Sequence, residues 1–313
     1  MRPAFYLRTG MSILIATKTL DAINSNLEAD GGDSFRANLK KVLPHISDIY
    51  RQEKNSVGRG HLGASVLGSQ CARQIWYGFH WAIKPKFPGR ILRLFNRGHL
   101  EEARVIALLL SIGVEVYQQD SEGKQFRVEH ADGHVGGSGD GVVVGLPDLN
   151  PGMPCLLEIK THNDKSWKAV HSKGVKASKF EHYVQMCIYG TKMGLNHALY
   201  VAVNKNDDSL HLELVPISRA VGEQYLERGA KIVNAEGPPN RIGHSIGDYR
   251  CVYCDYKALC HGVGKYKVER NCRTCAFSEI KGKDWVCRHH NQVLTVEEQK
   301  QGCSSWQAHN EFT

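Results

Sequence analysis

Residues 155–161 read Cys-Leu-Leu-Glu-Ile-Lys-Thr, an apolar run interrupted by an acid and a base two positions apart. Such a run is strand-like. Side chains alternate along a strand, so Glu158 and Lys160 share one face while Ile159 takes the other, toward a core. Upstream, the Gly-rich segment Gly136-Gly137-Ser138-Gly139-Asp140-Gly141 carries one acid. If Asp140 stands on a neighbouring strand, two hard oxygen ligands and one cation meet at a single spot. Two carboxylates suit Mg²⁺ or Mn²⁺. A lysine beside that metal either offsets charge on a phosphate in transfer or helps deprotonate an attacking water. An isolated E-x-K is usually the charged face of a half-buried strand. What raises it here is order: strand, turn, strand, with the acid first and the E-x-K after it.

The flanking pattern sets the topology. Residues 1 to about 60 read as polar helix and loop, with a turn at Asp30-Gly31-Gly32-Asp33-Ser34. An amphipathic helix is predicted over 34–51, with Leu39, Val42, Leu43, Ile46 and Ile49 on one side. Segment 68–79 contains Cys71 and the pair Trp76-Tyr77, and a second helix over 95–111 carries Gly98-His99-Leu100-Glu101-Glu102. Strands are predicted over 125–130, 134–144 and 155–161, joined by the turn Ala131-Asp132-Gly133 and by a loop with three prolines at 146–154. Connections this short favour an antiparallel meander. A helix over 179–193 and a hairpin of 197–205 with 209–217 follow, giving the order helix, three strands, helix, two strands. That is an α+β plan. Gly237-Pro238-Pro239 marks a boundary, so the chain divides into 1–60, 61–236 and 237–313.

Composition narrows the partners. The 313 residues are ample for a packed core, and the 42% apolar and 23% charged fractions are ordinary for a globular protein. A net charge of +8 favours an anionic partner such as nucleic acid, although a basic solvated surface gives the same number. No apolar run approaches the roughly 20 residues of a membrane helix, and no membrane partner is expected. The first residues lack an apolar stretch followed by a small-residue cleavage site, so no signal peptide is expected. Met11 is a second candidate start beside Met1. The cytoplasm is the expected compartment.

Ten cysteines without a secretion signal argue for metal rather than disulfides, and seven of them lie between 251 and 303. Cys251-x2-Cys254-x5-Cys260 places three thiolates within ten residues, and the x2 spacing lets two of them bind one centre. Cys71 is the candidate fourth ligand. A second set, Cys272-x2-Cys275 with Cys287 and Cys303, fits a structural zinc, with His289 or His290 as a substitute ligand. Beyond the boundary the chain is short of aliphatic residues, so metal is the expected source of its stability. Cys155 and Cys187 sit among apolar neighbours and read as core.

Taken together, these motifs resemble the PD-(D/E)xK nuclease superfamily, in its RecB-type exonuclease branch. The likeness spans Cys71 to Cys260 and extends to iron–sulfur nucleases associated with CRISPR systems and to AddB-type nuclease domains. It implies a restriction-endonuclease-like core with a Cys-rich metal-binding region after it. By that resemblance Cys71, Cys251, Cys254 and Cys260 hold a [4Fe–4S] cluster, with zinc the alternative. Gly98 and Glu102 match the helix motif, Asp140 the acid after the Gly-rich strand, and Glu158 and Lys160 the E-x-K. Gln185 and Tyr189 match the helix motif of Gln followed four residues later by Tyr, and residues at that spacing share a helix face. Glu101 and Glu102 are adjacent, so spacing alone selects Glu102. The second cysteine set lies outside the resemblance.

The activity so implied is Mg²⁺- or Mn²⁺-dependent hydrolysis of DNA. Asp140, Glu158 and Glu102 would hold metal, with the Ile159 carbonyl assisting. Lys160 would position water and offset charge, while Gln185 and Tyr189 orient the strand. Lys165, Lys168, Lys173, Lys176 and Lys179 are candidate phosphate contacts, with Trp167 among them as a stacking residue. A solvated lysine-rich loop accounts for these residues nearly as well. The expected setting is recombination or repair in a phage or mobile element, hence a host cytoplasm, beside a single-strand-annealing protein or a helicase. A non-catalytic nucleic-acid-binding module and a site-specific endonuclease are the competing readings.

Overall fold

The computed structural model describes residues 13–46, 58–84, 86–119 and 126–312. Expectations for Ile49, for Gln125 and for the choice of start fall outside these residues, whereas the helix expected over 34–51 ends early, at Val42, where a 3-10 turn through Pro44 leads into extended backbone at Ile46. The chain begins with two helices, α1 (Thr17–Asp30) and α2 (Asp33–Val42). They meet at the expected turn, where Gly31 and Gly32 adopt left-handed backbone (φ 58° and 81°) that a side chain would disfavour. A short strand β1 (Leu62–Gly63), helix α3 (Ala72–Phe79) and the long helix α4 (Gly89–Ser111) follow. Next come β2 (Glu115–Tyr117), β3 (Arg127–His130), β4 (Val135–Ser138), β5 (Gly141–Val144) and β6 (Cys155–His162).

Helices α5 (Asp164–Ser178) and α6 (Phe180–Met193) then lead to β7 (His197–Asn204), β8 (Leu210–Pro216) and α7 (Arg219–Val233). The Cys-rich region holds α8 (Lys257–His261), the strands β9 (Ser278–Lys281), β10 (Asp284–Cys287) and β11 (Gln292–Leu294), and α9 (Val296–Gln301).

The central sheet runs β2-β5-β6-β7-β8. Only β6 and β7 are parallel, and the α5–α6 pair supplies the crossover that parallel neighbours require. Both faces of this sheet are covered. On one side Leu157, Ile159, Val201 and Leu212 pack with Ile23 of α1, Val42 of α2 and Ala103, Ile106 and Leu109 of α4. On the other, Leu156, Tyr200, Ala202 and Val215 pack with Val184, Met186 and Ile188 of α6 and Leu226 of α7. The result is a mixed α+β fold with β6 at its centre.

Further sequence expectations are corrected. The three-strand meander does not form: residues 134–144 break at Gly139-Asp140, sending β4 into a separate sheet (β1-β4-β3) and β5 into the central one. The lysine-rich loop is instead the helix α5, kinked at Gly174 (φ 74°), where the Val175 N–H donates to Glu213 Oε2 at 2.8 Å. The helix predicted over 95–111 starts six residues earlier, at Gly89. The 197–217 hairpin forms as β7 and β8. The Cys-rich region does contribute to the main core: Trp285, Leu294 and Phe312 join the cluster around Trp76 and Leu156. Arg273 anchors it. Its guanidinium lies 3.9 Å from the Trp81 ring centroid and donates to the carbonyls of Phe79 and Gly60.

Candidate metal-dependent active site

Asp140 sits in the bend that separates β4 from β5. Gly-rich sequence is required there because other groups approach the backbone closely. A Cβ on Gly137 would stand 2.5 Å from the Tyr189 hydroxyl, and one on Gly136 would stand 2.8 Å from the Val128 carbonyl oxygen. The bend aims Asp140 at β6, where its Oδ2 accepts the Ile159 N–H at 2.8 Å. The acid therefore lies against the backbone between Glu158 and Lys160.

Glu158 is completely buried. Its Oε1 meets the Lys160 ammonium, while Oε2 is sealed from solvent without a hydrogen-bond donor. Burial pushes its carboxyl up to about 7, with Asp140 adding to the rise and Lys160 opposing it. Glu102 approaches from α4. Burial pushes it up to about 8, and Asp140 and Glu158 add to the shift against Lys160. Burial alone would lower the Lys160 ammonium, but Glu158, Asp140 and Glu102 outweigh it and hold it above the ordinary lysine value. Three acids and one cation thus converge at the centre of the sheet.

The neighbouring Glu101 has a different place. It is buried and pairs with Arg104 at 3.2 Å, leaving Glu102 as the acid that faces Asp140. His99 lies 3.7 Å from Glu102. Tyr189 is buried beside the acids, and its hydroxyl is raised by burial and then by Glu158 and Asp140. Gln185 is buried one turn earlier on the same helix face.

A hydrogen-bonded network continues along the same face of β6 and has no obvious motif in the sequence. Tyr200, the β7 partner of Glu158, bonds through its hydroxyl to His162 Nε2 at 2.9 Å and to His182 Nδ1 at 2.8 Å. His162 also reaches Ser166 Oγ at 2.9 Å. Burial pulls His162 down to about 4 and His182 down to about 3, with Lys160 contributing to both. The only sequence signal is periodicity: His162 is two residues beyond Lys160 and four beyond Glu158.

This donor set fits a hard divalent cation. A buried carboxylate oxygen without a donor is costly, and a cation beside it would remove that cost. Among the described residues no three His, Cys, Asp or Glu side chains already surround one point as ligands.

The predicted lysines lie on or beside α5. Lys165, Lys173 and Lys176 are exposed, and Lys168 pairs with Asp164 at 2.8 Å. Trp167 is less open than a stacking platform requires. One face lies on His171, 4.8 Å between ring centroids, and its indole N–H donates to the Ala202 carbonyl.

The structure brings both cysteine sets together. Cys71, at the N-terminus of α3, lines a cavity of about 20 Å³ with Cys251, Cys254 and Cys260. Arg73, Arg241, Arg250 and Lys257 also line it, a cationic wall suited to thiolates around a metal centre. A Cβ on Gly243 would stand 2.6 Å from Cys251 Sγ, so that sulfur needs the glycine. Cys272, Cys275, Cys287 and Cys303 line a second cavity of about 270 Å³ with His289 and His290. Burial pushes the Cys272 thiol up to about 11, and the other three cysteines add to the rise. His290 Nε2 lies 3.6 Å from Cys303 Sγ, a separation that two ligands of one tetrahedral centre also have. Cys155 and Cys187 are buried in the core.

No family model matches the chain, and no curated protein matches it. Among solved structures, it is similar to an alkaline exonuclease (LHK-Exo) from Laribacter hongkongensis, at 13% identity and a TM-score of 0.38, over 55% of this chain and 86% of that one. The same enzyme in complex with dAMP matches at 16% identity and 0.39, with the same coverage. A protein named SSO0001 matches at 14% identity and 0.37, over 72% of this chain and 93% of that one. At these identities and scores, the chemistry of the site has to be read from its own side chains.

Proposed function

We propose that the protein is a divalent-metal-dependent deoxyribonuclease that degrades DNA from its ends. The observation that carries this reading is the convergence of Glu158, Asp140 and Glu102 on Lys160, with a buried Glu158 oxygen that lacks a donor. A binding module has no need of a fully buried glutamate beside two half-buried acids, where Asp140 adds to the rise at both Glu158 and Glu102. Asp140, Glu158 and Glu102 would hold Mg²⁺ or Mn²⁺, with the Ile159 carbonyl assisting as the sequence resemblance implies. The bound cation would supply Lewis acidity toward phosphate and a more acidic water. Lys160 offsets charge on the phosphate oxygens in the transition state. Tyr189 and Gln185, both buried, would support the acids from behind, and a direct part in orienting the strand rests on the sequence resemblance. Preference for ends over internal sites rests on the sequence resemblance, as does a role in phage or mobile-element recombination beside an annealing protein or helicase.

Cys71, Cys251, Cys254 and Cys260 would hold a [4Fe–4S] cluster that fastens α3 to the segment 251–260. Four cysteines each binding a different iron need not converge on one point, which suits four thiols around one cavity. Cys272, Cys275, Cys287 and either Cys303 or His290 would hold zinc. Iron and zinc analysis of anaerobically purified protein separates the two: four irons with a visible charge-transfer band support the cluster, and zinc without iron replaces it.

Cleavage of end-labelled linear and closed circular DNA, with Mg²⁺, Mn²⁺ or EDTA, tests the activity. Metal-dependent loss of linear DNA alone is expected. Cutting of circles would make the protein an endonuclease, and no cleavage by metal-loaded protein would favour the binding module.

A further inference from the structure

A cleft of about 980 Å³ lies beside the first cysteine set, with Cys71 and Cys254 in its lining. Arg59 lines the cleft, and its charge also acts on Tyr189, the residue that senses Glu158 and Asp140. Phe95 lines the cleft from α4, two helical turns before Glu102, and meets Phe87 edge to face at 5.1 Å. The outer wall is the segment carrying Tyr249 and Tyr253. These rings are 82% and 95% exposed, so neither contributes much to packing. The Arg250 guanidinium lies 5.6 Å from the Tyr249 ring centroid and is already paired with Asp248 at 2.7 Å, so a phosphate there would share it with that acid.

Single exposed tyrosines are unremarkable. Four exposed aromatic rings along one cleft, with arginines between them, are a different arrangement. Lys84, Lys86, Arg90 and Arg93 are also exposed around Phe87, whereas Glu181 and Asp255 are the acids in the lining. Cationic side chains interleaved with open aromatic faces match a chain of phosphates and unpaired bases. A duplex keeps its base faces stacked on one another and cannot offer them to these rings.

We infer that this cleft binds single-stranded DNA, with bases stacked on Tyr249 and Tyr253 and phosphates on Arg59 and Arg250. The direction of the strand, toward Asp140 and Glu158, rests on the nuclease reading; binding itself does not. The cysteine pair Cys251 and Cys254 then also has a role in recognition, since it fixes the segment that presents both tyrosines.

The test is fluorescence anisotropy with labelled oligo-dT and with a blunt hairpin duplex, in EDTA so that nothing is cut. Tyr249→Ala/Tyr253→Ala should weaken oligo-dT binding about tenfold or more, with the duplex affected about twofold at most. Tyr249→Trp/Tyr253→Trp should retain binding. Equal affinity of wild type and the alanine variant for oligo-dT would overturn the proposal, as would an equal loss for strand and duplex. If the alanine variant melts early, crosslinking of a bromouridine-substituted strand to the wild-type protein decides: adducts on Tyr249 or Tyr253 support the cleft, and adducts exclusively elsewhere overturn it. A protein that binds oligo-dT through these tyrosines but never cuts DNA would sink the nuclease reading and leave this one standing.

Discussion

Asp140 Oδ2 accepts the backbone N–H of Ile159 at 2.8 Å, which fixes an acid from the β4–β5 bend against the middle of β6. One carboxylate thereby has two separable roles, as hydrogen-bond acceptor and as charge. Asp140→Asn keeps an acceptor and removes the charge. Without metal it should melt at or above the wild-type temperature, because Glu158 and Glu102 lose a repelling neighbour. Its melting temperature should no longer rise with Mn²⁺. Asp140→Ala should lose both properties. Calorimetric melts with and without Mn²⁺ distinguish the two variants.

The raised acids set a pH dependence. Glu158 at about 7 and Glu102 at about 8 keep protons in the folded state that an unfolded chain has released above about 4.5. Between those limits the folded state binds more protons, so its stability falls as pH rises. Metal-free protein should therefore lose stability steadily from about pH 5 to pH 8. A divalent cation, which competes with those protons, should restore more stability at pH 8 than at pH 6. Melting curves in EDTA and in Mg²⁺ across this range check the sign.

Gly137 is needed because the Tyr189 hydroxyl occupies the space of a side chain. Gly137→Ala should cost about 1–3 kcal/mol by overpacking and reduce cleavage by displacing the bend that carries Asp140. Adding Tyr189→Phe removes the colliding oxygen and should recover most of the stability. Urea unfolding of the two single variants and the double variant measures the coupling.

Much of this site was legible in the sequence. The E-x-K strand, the Gly-rich approach to Asp140 and the 197–217 hairpin follow from period-two patterning and turn residues. The split of 134–144 between two sheets was not legible, because alternation persists through Gly139-Asp140 and carries no information about which sheet a strand joins. Helix α5 was hidden by its lysines and by Gly174, whose positive φ breaks the helical period. The His162–Tyr200–His182 network joins residues up to 38 positions apart through side chains that belong to no motif. Only the parallel pairing of β6 with β7 brings Tyr200 opposite Glu158.

Arg273 is the link between the Cys-rich region and the core. Burial pulls its guanidinium down to about 9, and hydrogen bonds to Gln299, Phe79 and Gly60 hold it. Arg273→Ala leaves two carbonyls without donors, at about 1–3 kcal/mol each, and opens a gap among Phe79, Trp81 and Trp285. It should lower the unfolding midpoint and expose the segment after 237 to limited proteolysis. Unchanged proteolysis would mean that Trp285 and Phe312 suffice to dock the region.

The central claim is that phosphodiester hydrolysis takes place at Asp140, Glu158 and Lys160. The most direct measurement is single-turnover cleavage of end-labelled linear DNA by Lys160→Ala beside the wild type, in Mn²⁺, with DNA binding measured separately in EDTA. Loss of cleavage by about 10²-fold or more, with binding retained, is the expected result. Cleavage at the wild-type rate in the variant would contradict the assignment.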